Sequence, residues 1–380
     1  MSKKENTLQP AKLILEDGSE YEGWAFGKIR SAAGEVVFNT GMSGLAQALT
    51  DPAYKGQIFV STWTISGNVG VNVNKNGYPF FDEKDIPLTL ESEKIQVSGL
   101  IISDLCEEPS HYSAKISLSA WLEKGNIPGI YGIDTRAIAI RLREKGTMRG
   151  KIYIEGKSDV SLKKINLSNH DGVSSNEIKT YSPNGEPGAG SKTGSGLKIA
   201  LVDCGVKANV IRSLLNRGAE VIRVPCNIDF EKTGYDGLLI SGGPGDPKEY
   251  KKIIDAVRKA LSAKKAVFGI GLGSLIIALA AGADTYKLPF GHRSQNQPSI
   301  EENTPHCYVT SQNHGYTIRP ETLPRDWVKW FTNANDGTIE GIRHTTKPFS
   351  GVLFYPEGCP GSCDTEFLFD KFIAQIKEAK

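Results

Sequence analysis

Residues 267–283 read VFGIGLGSLIIALAAGA, a short apolar strand, a Gly-x-Gly turn and a helix in direct succession. A strand that passes through such a turn into a helix has the layout of a nucleophile elbow. The central residue of an elbow is held in a strained conformation beside a helix N-terminus, which stabilises a thiolate. Here the central residue is Gly271, which has no side chain. Glycine accepts a positive φ without steric cost, so we expect the turn to persist without a nucleophile.

The segments around this stretch alternate between strand and helix patterns. Strand patterns occur at LKIALVD (197–203), EVIRVP (220–225) and GLLIS (237–241), and helix patterns occur at ANVIRSLLNRG (208–218), KEYKKIIDAVRKALSA (248–263) and TEFLFDKFIAQIKEAK (365–380). This alternation predicts βαβ units and a mainly parallel sheet. We therefore expect an α/β domain over residues 197–380.

The N-terminal part of the chain is mainly strand-like. Short apolar runs occur at AKLILED (11–17), GEVVFNT (34–40), QIFVSTW (57–63) and KIYIEG (151–156), with helix patterns near residues 116–122 and 138–143. We expect a β-rich domain over residues 1–156. The polar stretch 157–196 is predicted to be a connector. Its GEPGAGSKT segment (185–193) precedes a strand instead of following one, and its lysine does not directly follow a glycine, so it is not a phosphate-binding loop.

The composition excludes several classes of partner. Lys and Arg number 45 against 43 Asp and Glu, which gives no electrostatic reason to expect nucleic acid or a membrane surface. No long apolar run or N-terminal signal is evident, so a cytoplasmic location is expected. The six cysteines are expected to be reduced thiols. Cys359 and Cys363 are close in sequence, but without further ligands they are a weak metal signal, and we predict no metal.

Several further segments resemble a known family. SGGPGDP (241–247), SQNHGYTI (311–318) and YPEGCPGSCD (355–364) are similar to class I glutamine amidotransferase motifs in their usual order. LEDGSEYEGWAFG (15–27), TDPAYKGQI (50–58) and GIDTRAIAIRLREKG (132–146) extend the resemblance to the small subunit of carbamoyl phosphate synthetase. The resemblance implies a flavodoxin-like C-terminal domain and an N-terminal domain that docks on a large subunit. It also implies that ATP and magnesium bind only to that large subunit, so this chain itself needs no cofactor.

The resemblance implies that the catalytic groups are replaced. Gly271 occupies the position of the family's nucleophilic cysteine, and Tyr355 occupies that of its catalytic histidine, while Glu357, which orients that histidine in the family, is retained. Glutamine hydrolysis requires a thiolate nucleophile and an imidazole that transfers protons. We therefore expect an inactive glutaminase site in a structural or regulatory partner of the large subunit.

The resemblance also implies a partly retained substrate pocket. Ala53 replaces a glutamine-contacting serine, and Leu275 replaces a contacting glutamine. The retained or similar positions are Gly243, Gly245, Leu272, Asn313, Gly315 and Tyr316, the last of which replaces phenylalanine. At most weak binding of glutamine or an analogue is expected.

Two alternatives remain open. The chain could still hydrolyse glutamine through Ser274, Cys359 or Cys204, or it could be a non-catalytic module that binds a metabolite. Against the first, we expect Ser274 to cap the helix and Cys359 to be a loop residue. Among other positions, Asp134 or Thr135 should cap a helix, and His292, His306 and His314 carry no distinct functional signal. His111 and His344 should lie on the surface, and His170 falls in the connector.

Overall fold

The computed structural model describes residues 8–162, 172–183, 196–263 and 265–380. Its residues group into two compact units. Of the described residues, the first unit contains 8–50, 54–80 and 93–162, and the second contains 51–53, 81–92, 172–183, 196–263 and 265–380. Two short segments of the predicted N-terminal domain thus group with the second unit. Two parts of the predicted connector lie outside the described residues: 163–171, which include His170, and 184–195, which include all of GEPGAGSKT.

The first unit is built on a closed barrel. Its strands are β1 (Pro10–Leu15), β2 (Glu20–Gly27), β3 (Ala32–Asn39), β4 (Gln57–Ser61), β5 (Ile65–Ser66), β6 (Gly99–Ile101), β7 (Asp104–Leu105), β8 (Pro128–Tyr131) and β9 (Met148–Ile154). The barrel order is β1-β2-β8-β6-β4-β3-β9, and β5 pairs with β7 separately. Alternate apolar residues, such as Leu13, Val36 and Ile152, fill the barrel core.

Among its described residues, the first unit also contains the helices α1 (Leu45–Leu49), α2 (Leu118–Lys124) and α3 (Thr135–Lys145). The two predicted helices correspond to α2 and α3, so that expectation is confirmed. Asp134 caps α3, because its side chain accepts a hydrogen bond from the Ala137 amide. Ile138 and Leu142 of α3 pack into the barrel core.

The second unit contains a ten-stranded sheet. Its strands are β10 (Lys179–Tyr181), β11 (Lys198–Asp203), β12 (Glu220–Pro225), β13 (Gly237–Ile240), β14 (Ala266–Ile270), β15 (Thr285–Glu301), β16 (Cys307–Ile318), β17 (Trp327–Asn333), β18 (Ile339–His344) and β19 (Phe349–Val352). The order is β10-β12-β11-β13-β14-β19-β18-β17-β15-β16. The β12-β11-β13-β14-β19 part is parallel, and the remaining pairings are antiparallel. Strand β10 lies inside the predicted connector.

Helices cover both faces of the parallel part. They are α4 (Ala208–Asn216), α5 (Lys251–Ala260), α6 (Leu272–Ala281) and α7 (Phe367–Ala379). Ala200 and Val202 of β11 share a core with α5 and α6, whereas Ile199 and Leu201 share a core with α4 and α7. Because successive residues of a strand point to opposite faces, β11 is buried on both sides. The predicted flavodoxin-like α/β class is confirmed. No helix within the described ranges is long and apolar enough to cross a membrane.

Candidate functional site

The turn at Gly271 joins β14 to α6 with the conformation that the sequence predicts. Gly271 has φ 57° and ψ −117°, and it precedes the first residue of the helix. Its amide donates to the Val352 carbonyl at 2.8 Å. A Cβ built on Gly271 would meet Gly242 Cα at 3.6 Å and Leu353 O at 3.8 Å, which are ordinary contacts. The neighbouring atoms therefore leave space for a side chain at this position. The turn has none because the residue is glycine.

Two neighbouring glycines explain how the turn lies so close to the sheet. A Cβ on Gly273 would lie 2.1 Å from Ile240 O, and a Cβ on Gly269 would lie 2.6 Å from Gly273 C. Since real Cβ atoms do not approach this closely, both positions require glycine for α6 to pack against β13 and β14. The local sequence thus preserves the architecture of the elbow.

Tyr355 is held by a buried hydrogen-bond network. Its hydroxyl donates to Asp51 Oδ2 at 2.7 Å, and the Asn313 amide donates to the same oxygen at 3.1 Å. The other oxygen of Asp51 accepts from the Ala53 amide at 2.9 Å. The network therefore connects the predicted site residues Ala53, Asn313 and Tyr355 through Asp51. Asp51 was not among the site residues predicted from the sequence, although it lies in the family-like TDPAYKGQI segment.

Lys207 is a second residue that the sequence analysis missed. Its ammonium nitrogen lies 3.0 Å from Glu357 Oε1, 2.7 Å from Gly358 O and 3.9 Å from the centroid of the Tyr355 ring. A lysine four residues after a buried strand and directly before a helix is the signal that could have found it. Glu357, which the sequence analysis named as a site residue, thus pairs with an ammonium group.

The charges of this pair follow from their surroundings. Burial alone would lower the pKa of Lys207, but the carboxylates of Glu357, Glu91 and Asp51 outweigh it and raise that pKa. Burial raises the pKa of Glu357, and the Lys207 ammonium opposes that shift. Because Lys207 faces three carboxylates, we take it as charged and the pair as ionised. Within the part of the chain that the structure describes, Glu357 Oε2 has no hydrogen-bond partner.

The remaining predicted pocket residues are two leucines in the hydrophobic core, and three glycines and a tyrosine in other segments of the second unit. Leu272 and Leu275 belong to the hydrophobic core that α6 shares with the sheet, so Leu275 offers no polar contact. Gly243 lies against Cys204 and Leu272, where a built Cβ would meet Cys204 O at 2.1 Å, and Gly245 has φ 87°. Gly315 is beside Arg293, and the Tyr316 carbonyl is 2.9 Å from His314 Nδ1.

None of the three candidate replacement nucleophiles is activated. The expectation that Ser274 caps α6 is wrong: Gly271 is the N-cap, and Ser274 lies inside the helix. Its buried hydroxyl has no hydrogen-bond partner among the described residues. Burial raises the pKa of Cys359 to about 12 and raises that of the fully buried Cys204 well above its usual range. Since the thiolate is the reactive form, both thiols are inert near neutral pH.

Histidines 292 and 314 form a buried cluster with Glu340, contrary to the expectation that they would be undistinguished. Glu340 accepts from His292 Nδ1 at 2.8 Å and lies 3.2 Å from His314 Nε2. Asp336 Oδ2 lies 2.8 Å from His292 Nε2. Such groups can bind metals, but their spacing here is that of direct hydrogen bonds. Burial would raise the pKa of Glu340, yet His314 and His292 lower it to about 2.

The two histidines predicted to be on the surface differ. His111 is exposed, as expected. The expectation is wrong for His344, which is 9% exposed and lies 3.0 Å from Asp326 Oδ2. Its ring also meets those of Trp327 and Phe349 edge-on. These contacts come from tertiary packing, which a lone histidine in the sequence does not reveal.

Comparisons with known proteins agree with the two-part organisation. A family model described as carbamoyl-phosphate synthase small chain, CPSase domain, matches residues 13–152, and one described as glutamine amidotransferase class-I matches residues 200–375. The chain is 46% identical over 376 residues to carbamoyl-phosphate synthase (ammonia), mitochondrial, of Homo sapiens, covering 98% of this chain and 24% of the relative.

Two further relatives are longer multifunctional proteins. The chain is 43% identical to multifunctional protein pyr1-3 of Dictyostelium discoideum, covering 96% of this chain and 17% of the relative. It is 44% identical to multifunctional protein CAD of Squalus acanthias, covering 97% of this chain and 16% of the relative. The chain therefore spans a quarter or less of the length of these relatives.

Proposed function

We infer that this chain belongs to the carbamoyl-phosphate synthase small-chain family, because it carries that family's small-chain domain followed by a class I glutamine amidotransferase domain. We propose that it is a member without glutaminase activity. In this proposal it acts as a structural or regulatory partner of the ATP-using large chain, whether that chain is a separate polypeptide or part of the same one. ATP and magnesium would bind to the large chain.

The observation that carries the proposal is the empty elbow at Gly271. The backbone has the positive φ and the helix that would support a thiolate, but no atom is available to attack an amide carbon. Loss of the covalent route alone costs several orders of magnitude in rate.

Tyr355 supports the same conclusion on the acid–base side. Its hydroxyl donates to Asp51, and its ring lies against the Lys207 ammonium. A free phenol has a pKa of about 10, so it does not exchange protons near neutral pH as an imidazole does. In this proposal, Tyr355 packs and forms a hydrogen bond but does not transfer protons.

The nitrogen source follows from this loss. A small chain that cannot hydrolyse glutamine leaves free ammonia as the substrate of the large chain. The human relative is named for ammonia, and we extend that property to this chain as part of the proposal. The competing hypothesis, an active glutaminase, would require a nucleophile other than the inert Ser274, Cys359 and Cys204.

The test is carbamoyl phosphate synthesis by the full chain together with its large chain, with ammonium in one reaction and glutamine in another. We expect synthesis with ammonium and a glutamine-dependent rate at least about 1,000-fold lower. Comparable rates with both nitrogen donors, with the glutamine rate abolished by a glutamine-site inhibitor, would overturn the proposal.

A restored variant provides the matched control. Gly271→Cys and Tyr355→His return the thiol and the imidazole, and Ala53→Ser with Leu275→Gln return two polar side chains. We expect ammonia release from glutamine by this quadruple variant but not by Gly271→Cys alone, since the thiol still needs a base. Activity of the unmodified chain in the same assay would show that a different nucleophile operates.

A further inference from the structure

Three buried side chains from separate strands converge in the second unit. His292 lies on β15, His314 on β16 and Glu340 on β18, and each is at most 6% exposed. The two histidines are cross-strand partners, and their ring centroids are 4.9 Å apart. One ligand atom from each of the three side chains lies within 4.8 Å of the other two. Two imidazoles and a carboxylate are donors that zinc binds in proteins.

Neutral imidazoles would have too few hydrogens for the contacts of this cluster. Glu340 Oε1 and Asp336 Oδ2 each lie 2.8 Å from a different nitrogen of His292. His314 Nδ1 lies 2.9 Å from the Tyr316 carbonyl oxygen, and its Nε2 lies 3.2 Å from Glu340 Oε2. Carbonyl and carboxylate oxygens only accept hydrogen bonds, whereas a neutral imidazole has a single N–H. Each neutral ring therefore directs one nitrogen lone pair at an oxygen.

Two arrangements remove these repulsive contacts. Without an ion, both rings need a second proton. Alternatively, a divalent cation lies among His292 Nδ1, His314 Nε2 and the Glu340 carboxylate, and each ring keeps one N–H. Those two hydrogens then go to Asp336 and to the Tyr316 carbonyl, as the outer partners of metal-bound histidines usually receive them. The carboxylates of Glu340 and Asp336 balance the divalent charge.

Gln312 supplies a fourth donor atom to the same place. Its Oε1 lies 3.2 Å from His314 Nε2, and the residue is 1% exposed. Its amide nitrogen donates to the hydroxyls of Ser299 and Thr310 at 3.3 and 3.0 Å, so the amide oxygen is directed at the cluster. Four nitrogen and oxygen donors match the coordination number of structural zinc sites.

We propose that this cluster binds a structural zinc ion through four side chains of β15, β16 and β18: His292, His314, Glu340 and Gln312. The ion ties three strands of the antiparallel part of the sheet together. Magnesium and calcium do not fit, because they prefer sites built mainly from oxygen ligands. This site goes beyond the proposed function, since it involves neither a nucleophile nor glutamine.

The first test uses the full chain after treatment with a chelator. Zinc chloride is titrated in by calorimetry near neutral pH, and thermal unfolding is followed with and without the ion, with magnesium chloride for comparison. We expect saturable binding of zinc and a rise in Tm that magnesium does not produce. No saturable binding of zinc, or an equal response to magnesium, overturns the proposal.

X-ray absorption of the zinc-loaded parent identifies the ligands without any substitution. Nitrogen and oxygen ligands at about 2.0–2.2 Å are expected, whereas sulfur at about 2.3 Å overturns the proposal. Cys307 and Cys363 are the exposed thiols that compete for zinc. Cys307→Ser and Cys363→Ser should leave the zinc affinity unchanged, and loss of binding in either variant contradicts the site.

A variant at an exposed position then locates the ion. Asp336→Ala removes the acceptor of the His292 ring, so zinc affinity should fall roughly 10- to 100-fold. Asp326→Ala is the matched control, because Asp326 is an equally exposed carboxylate that lies 3.0 Å from the buried His344. Its zinc affinity should equal that of the parent. Equal zinc affinities of the two variants overturn the proposal.

Discussion

At the scale of single residues, two contacts fix the side chain of Tyr355. The phenol reaches Asp51, and its ring lies on Lys207. Its contacts are those of a packed and hydrogen-bonded core residue, at the position that the family resemblance assigns to a catalytic base. Gly271 is the opposite case. Its backbone has the conformation of an elbow, with φ 57°, but glycine has no side chain that could act as a nucleophile.

The contribution of the Tyr355 hydroxyl can be measured directly. Tyr355→Phe leaves Asp51 buried with one donor fewer, so the free energy of unfolding should fall by about 1–3 kcal/mol in urea denaturation. Tyr235→Phe is the control, because Tyr235 donates at 2.8 Å to Glu231, whose carboxylate is exposed whereas that of Asp51 is buried. An effect of Tyr355→Phe no larger than that of the control would mean that the bond to Asp51 is not a significant stabiliser.

At the scale of elements, the start of α4 is fixed by charged groups that are distant in sequence. Glu91 accepts from the Asn209 amide at 3.1 Å, and the Ala208 amide donates to the Glu91 carbonyl at 2.9 Å. Lys207 has no side-chain capping bond of its own and instead joins Glu357. Residues 81–92 therefore supply the cap that the helix lacks locally.

The buried Lys207–Glu357 pair predicts a non-additive double substitution. Lys207→Met leaves the buried Glu357 without its ammonium partner, which should cost about 3–5 kcal/mol of unfolding free energy. Adding Glu357→Gln should recover part of that loss, because one unpaired charge is removed. Chemical denaturation of the parent, the two single variants and the double variant measures the coupling. Strictly additive losses would mean that the two side chains do not stabilise each other.

At the scale of the whole molecule, the cluster of His292, His314 and Glu340 links stability to pH. Burial lowers the pKa of His292, but Glu340 and Asp336 outweigh it, so its pKa lies above the ordinary 6.5. Protonated His292 therefore contributes to folding stability. This contribution is complete below pH 6.5 and is lost as the pH rises through the folded-state pKa of His292. Glu340, with a pKa of about 2 against the ordinary 4.5, contributes above pH 4.5 and loses its contribution toward pH 2.

Stability should therefore be most sensitive to His292 in mildly acidic solution. We expect the difference in Tm between the parent and His292→Gln to be largest near pH 5–6 and to shrink as the pH rises above 6.5. His111→Gln, at an exposed site, should show no such trend. A difference in Tm that stays constant from pH 5 to 9 would show that His292 does not titrate in this way.

The sequence by itself determined the features that depend on local order and on which atoms are present. The periodicity of residues 197–283 predicted the βαβ units and the turn at Gly271, because strand and helix periods and glycine torsions are short-range properties. The missing thiol at Gly271 also follows from residue identity alone, since no folding can supply atoms that a glycine lacks.

Only the tertiary structure decided the partners of the side chains. Asp51 and Tyr355 are 304 residues apart, and Lys207 and Glu357 are 150 apart, so no local pattern relates them. The burial of His344 and the position of Ser274 inside α6, both wrongly predicted, have the same origin. A side chain's pKa and hydrogen bonds depend on every element packed around it, and those neighbours become definite only when distant segments of the chain meet.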